Sequence, residues 1–73
     1  MRFKPGDKVW TARASWSFHL DDAWPGVVSS ARLTWLGPVY YVKYRMKIEE
    51  TGEIVELIEK RRWWQVWPYE EVK

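Results

Sequence analysis

The chain has no cysteine, a single histidine, and only four glycines and four prolines among its 73 residues. Without cysteine there can be no disulfide, no thiolate zinc site and no cysteine nucleophile, and a reducing compartment fits better than a secretory one. His19 alone cannot assemble a metal site, so neither a metal nor any other cofactor is expected. No uncharged stretch approaches the roughly 20 apolar residues of a membrane span. The first residues carry no apolar run of the signal-peptide kind, and the expectation is a soluble protein without a membrane partner. Charge of one sign is lacking too: 12 Lys and Arg against 10 Asp and Glu leave a net charge of +2. Any basic function must therefore come from local clustering.

What the chain does have is aromatic surface. Its length suits one compact unit, residues 1–73 as a single domain. A domain this small buries only about 60% of its unfolded surface, and its core rarely supplies more than roughly 3 to 5 kcal/mol without staples. Large rings are expected to supply that core. Seven Trp, four Tyr and two Phe are present, each able to bury roughly 150 to 250 Å². That exceeds what a core requires, so some rings are expected to serve a surface pocket.

Turn signals fall at "KPGD", "DDAWPG", "WLGP" and "EETG", with β-rich runs between them. "KVWTARA" reads as a first strand and "WPGVVSSARLT" as a second, with Pro25 near its start, where a ladder donor is least missed. In "VYYVKYRMKI", Tyr40, Val42, Tyr44, Met46 and Ile48 share one face, and Val39, Tyr41, Lys43, Arg45 and Lys47 the other. One face packs while the other shows a basic stripe. After a turn at Thr51-Gly52, "EIVELIE" reads as a hairpin partner, with Glu53 and Glu59 placed to pair across with the stripe. Helical spacing of Ile54, Leu57 and Ile58 also fits that segment. The tail "RRWWQVWPYEEVK" reads as a short strand and a turn through Pro68, with a helical turn starting at Glu70. Trp63, Trp64 and Trp67 are expected to complete the core, and Trp10 to pack.

Four or five short strands with Gly and Pro at the turns predict an all-β fold, a small SH3-like five-stranded barrel, because closure removes exposed edges. Catalysis is not expected. The chain has no nucleophile with a nearby base, no metal cluster and no glycine-rich phosphate loop, and the adjacent Asp21-Asp22 pair is poorly placed to converge on one bond.

"FKPGDKVW", "AWPGVV", the aromatic strand "YYVKY" and the closing "VWPYEE" are similar in order and spacing to the PWWP domain, one of the SH3-like chromatin readers that include Tudor, chromo-barrel and agenet domains. Matching pieces run from Phe3 to Glu71. Asp22-Ala23-Trp24-Pro25 stands where the family carries its four-letter signature, and the longer hairpin is similar to that of agenet and Tudor domains. The resemblance implies a nuclear chromatin reader whose aromatic cage holds a methylated lysine of a histone tail. A quaternary ammonium is poorly hydrated, and ring faces within about 6 Å attract it by roughly 0.5 to 2 kcal/mol.

Carried over by position, the resemblance assigns cage roles to Trp24 and Tyr44. The position three residues before Trp24, normally a further ring, is Asp21, so Trp16 or Phe18 from the longer loop would replace that ring. Asp21 or Asp22 would supply the negative charge. Each residue also has a structural reading: Trp24 as a barrel plug, Tyr44 as a core ring, Trp16 and Phe18 as end covers, and His19 as a solvated turn residue. Lys43, Arg45, Lys47, Arg61 and Arg62 are the candidates for DNA phosphate contact, which positions a protein without reading sequence. Their alternative is a solvated face balanced by Glu49, Glu50, Glu53, Glu56 and Glu59. Two further functions stay open. One is a nucleic-acid-binding barrel similar to the integrase C-terminal domain, using stacked Trp rings with Lys43, Arg45, Arg61 and Arg62; the other is a structural or interaction barrel, natural or engineered.

Overall fold

The computed structural model describes residues 2–14, 16–17 and 19–69. Five strands form one antiparallel sheet: β1 (Lys8–Ala12), β2 (Ala23–Thr34), β3 (Gly37–Lys47), β4 (Ile54–Arg62) and β5 (Val66–Pro68). Their order is β4-β3-β2-β1-β5. Two 3-10 turns, Leu20–Asp22 and Trp63–Gln65, complete the regular structure among the described residues. The fold is therefore all-β. No ladder joins β4 to β5, which form the two edges of the sheet. The helical turn expected at Glu70 lies outside the described residues.

Alternation in β3 organises the sheet. Tyr40, Val42 and Tyr44 are buried on the inner face, while Arg45 and Lys47 on the outer face are exposed. All nine residues of β4 pair with β3, so the segment that also fitted a helix is a strand, and it runs on through Lys60, Arg61 and Arg62. A tight turn closes this hairpin, with the Ile48 N–H donating to the Glu53 carbonyl at 2.8 Å and the Gly52 N–H to the Ile48 carbonyl at 2.7 Å. β2 carries a bulge between Val28 and Ser30, which adds local twist where the strand passes the core.

The core is small: Phe3, Val9, Val28, Tyr40, Val42 and Val66, with Ala31 against it. Tyr40 is fully buried. Its ring meets Phe3 edge to face at 5.4 Å, and its hydroxyl accepts the Phe3 backbone N–H at 3.3 Å. Valines fill the remaining volume, and none of the seven tryptophans is buried. This corrects the expectation for Trp63 and Trp64, which are 49% and 43% exposed. The physical reason is local, because the 3-10 turn that carries them follows β4 off the end of the inner face. The Trp63 indole lies over the β2–β3 hairpin, its Nε1 donating to the Leu36 carbonyl at 3.2 Å. Gly37 makes that cover possible: its φ is +106°, and a Cβ there would sit 2.8 Å from the Trp63 ring. Trp67 is half-buried in β5 opposite Trp10. Trp10 stacks on Tyr69 at 5.0 Å and donates its Nε1–H to the Tyr69 carbonyl at 3.0 Å.

Gly26 stands at a close contact between β2 and β3. A Cβ at this position would lie 2.7 Å from Val42 Cγ1 and 3.0 Å from the Lys43 carbonyl oxygen. Any side chain here would force β2 away from β3. Thr11 packs beside this contact, buried, and nothing among the described residues pairs with its hydroxyl. Removing a buried unpaired hydroxyl relieves a desolvation cost. Thr11→Val is therefore expected to stabilise the fold by about 1 kcal/mol, raising Tm by roughly 4 to 8 °C in a thermal melt; a lower Tm would show that the hydroxyl is paired.

Candidate functional site

The Trp24 ring enters the structure directly after the 3-10 turn Leu20–Asp22, at the start of β2. It is half-buried and meets Tyr44 edge to face, with centroids 5.5 Å apart and planes at 76°. Of the cage candidates, these two rings come together. Tyr44 is only 6% exposed, so it braces Trp24 from behind and offers little face of its own. Trp24 and Pro25 form one wall of a cleft of about 650 Å³, whose other walls are Arg45, Met46, Lys47, Ile48, Glu49 and Glu50.

Trp16 is elsewhere. It is 81% exposed and lines a separate hollow of about 340 Å³ with Arg13, Ala14, Ser17, His19 and Asp22. Asp21 is exposed in the 3-10 turn and borders neither space. Phe18 lies outside the described residues. The carboxylates beside Trp24 are instead Glu49 and Glu50, from the β3–β4 turn. The sequence reads them as turn residues and balancing charge, and the alternation of β3 followed by the "EETG" turn brings them to the Trp24 end of the sheet. A cation already stands at the ring: the Arg13 guanidinium carbon is 5.5 Å from the Trp24 centroid.

The five basic candidates divide. Lys43, Arg45 and Lys47 share the outer face of β3, as the alternation required. Arg45 pairs with Glu56 at 3.6 Å, opposite it in the ladder, whereas Glu59 sits opposite Val42 on the inner face. Glu53 precedes β4 and closes the turn through its carbonyl. The pairing partner of the stripe is thus Glu56 rather than Glu53 or Glu59. As an exposed pair it contributes about 0 to 1 kcal/mol.

Arg61 and Arg62 point to opposite faces, because strand side chains alternate. Arg62 faces outward opposite Val39, whereas Arg61 lies opposite Tyr40 and is 4% exposed. Its Nε–H donates to the Ala12 carbonyl and its Nη1–H to the Lys60 carbonyl, each at 2.8 Å. Arg61 is therefore a tie between β4 and the end of β1, and it leaves the set of surface cations. The outer face gains two cations that the sequence reading missed, Arg32 on β2 and Lys60 on β4. Period-2 counting through "SSARLT" and to the end of "EKRR" would have found both.

Among the described residues no group of three His, Asp or Glu side chains is placed to hold a metal ion, and no helix is long and apolar enough to cross a membrane.

The two arginines give a direct contrast. Hydrogen bonds from a charged group contribute roughly 1.5 to 3 kcal/mol, so Arg61→Ala is expected to lower unfolding stability by at least about 2 kcal/mol in urea titration. Arg62→Ala should stay within about 0.5 kcal/mol of the parent; equal losses at both positions would contradict the assignment of faces. Neither a family model, nor a curated protein, nor a solved structure matches this chain, so its functional reading rests on the geometry of the Trp24 cleft and the basic outer face.

Proposed function

We propose that this chain is a non-catalytic binding module, an SH3-like barrel of the Tudor and PWWP kind, whose Trp24 cleft receives a methylated lysine side chain from a histone-type tail. The topology supports the barrel. Four strands follow one another as neighbours, and the chain then crosses through a 3-10 turn to add β5 beside β1, the connection a curled sheet uses to bring its edges round. The aromatic resemblance noted in the sequence supports the subfamily.

The observation that carries the ligand assignment is the Trp24 ring itself. Tyr44 holds it edge-on, Glu49 and Glu50 stand across the cleft, and a guanidinium already approaches its face. The ring face and the two carboxylates attract a cation, against the opposing charge of Arg45 and Lys47 on the same walls. A methylated ammonium suits the ring better than a bare one, because it gives up less hydration on entering. Arg13 lines the neighbouring hollow rather than the cleft, and its approach shows that the Trp24 ring accepts a cation. Lys43, Arg45, Lys47 and Arg62 are the residues for auxiliary contact with duplex DNA phosphates, and a nuclear location follows from such partners.

Calorimetric titration with trimethylated and unmodified lysine peptides of histone-tail sequence tests this directly. The trimethylated peptide is expected to bind more tightly. Trp24→Ala should remove the difference, a loss of roughly 2- to 30-fold for one cation–π contact. Equal affinity for both peptides, or a Trp24→Ala protein that binds as well as the parent, would remove the cleft from the functional reading.

A further inference from the structure

The opposite end of the sheet carries a second surface with a different chemistry. On the outer face, Arg32 of β2 and Arg62 of β4 flank Val39 of β3, and in the adjoining row Lys60 lies beside Tyr41. These residues, with Thr34, Trp35 and Leu36 of the β2–β3 turn, enclose a hollow of about 270 Å³. Three cations border it, and no carboxylate is among its lining residues. Trp35 stands at its rim with 91% of its surface exposed. Burial in this fold gives no reason for so exposed an indole, and the two rings nearest in sequence to Arg62, Trp63 and Trp64, are exposed beside the same hairpin.

We propose that this surface binds single-stranded nucleic acid, with a base stacked on the Trp35 indole and the backbone phosphates held by Arg32, Lys60 and Arg62. An exposed ring beside converging cations matches the two needs of an unpaired strand, a π-surface for the base and positive charge for the phosphate. A duplex is the poorer fit, because its bases are stacked on one another and present only edges to a protein. An acidic peptide satisfies the cations and leaves the ring unused. The site is separate from the Trp24 cleft: Arg32 lies eight positions along β2 from Trp24, roughly 26 Å at the usual strand rise. Its occupancy therefore does not depend on the methyllysine reading.

The test uses the whole chain and a fluorescent oligo-dT, with anisotropy read at several salt concentrations. Three phosphate contacts on a single strand are expected to give a log–log salt slope near about −2. Trp35→Ala is expected to weaken binding by about 5- to 150-fold, the range for one stacked base, with little effect on the slope. Arg32→Gln combined with Lys60→Gln should bring the slope to about −0.7. Lys4→Gln, which removes a cation at the N-terminal turn, should change neither quantity appreciably. Circular dichroism of each variant verifies the fold, which the exposure of Trp35 protects. Four results would overturn the proposal: no binding at low salt, an equal loss of oligo-dT and duplex binding in the Trp35→Ala protein, equal binding of poly-glutamate, or full binding of oligo-dT by the Trp35→Ala protein.

Discussion

The register of β3 is the constraint on which both candidate surfaces depend. Its inner side chains Tyr40, Val42 and Tyr44 make the floor of the core and the brace behind Trp24, and the residues between them, Tyr41, Lys43 and Arg45, form the outer face. A slip of one residue would exchange the two sets completely. Gly26 and Val42 guard against that slip. A Cβ on Gly26 would meet the Val42 side chain and the Lys43 carbonyl, so no other residue fits at that position without a shift, and Tyr40 anchors the same strand through its ring and its hydroxyl to Phe3.

A core of valines around one tyrosine explains where the tryptophans go. Interior volume in so short a chain is limited, and an indole would displace two or three of the residues that now fill it. The large rings are therefore used as covers and braces at the margins. Trp10 stacks on Tyr69 below β5, Trp63 covers the β2–β3 hairpin, and Trp24 leans on Tyr44 at the far end of β2. Buried polar groups take over part of the work of joining the margins. Arg61 ties β4 to the end of β1, while Gln65 accepts the Arg62 N–H at 3.1 Å and donates to the Ser17 carbonyl at 2.7 Å. Through these bonds the 3-10 turn before β5 is fastened to the long β1–β2 connection.

Strand positions were legible because alternation and turn chemistry are local. "VYYVKYRMK" divides into two faces without knowledge of its neighbours, and the proline and glycine punctuation limits where each strand can end. The exposure of Trp63 and Trp64 was not legible, since it follows from a one-turn 3-10 segment that no hydrophobic period announces. The separation of Arg61 from Arg62 was within reach of period-2 counting, but only once β4 was known to continue past Glu59. Trp24 and Tyr44 were paired by the family resemblance, carried over by position. Trp16 was not assignable to a wall, because the β1–β2 connection that carries it has no repeating pattern to orient a side chain. Glu49 and Glu50 were visible as turn residues, and their position beside Trp24 emerged only from the pairing of β2 with β3.

The absence of a buried indole changes how this protein looks to an optical measurement. Tryptophan emission moves to longer wavelength as the ring meets water, and every indole in this fold meets water to some degree. Four of the seven are exposed and three half-buried, so native emission lies to longer wavelength than that of a fold built around a buried indole. Fluorescence from this chain reports on what touches its margins. The interior is silent at those wavelengths, and its one fully buried ring is a tyrosine.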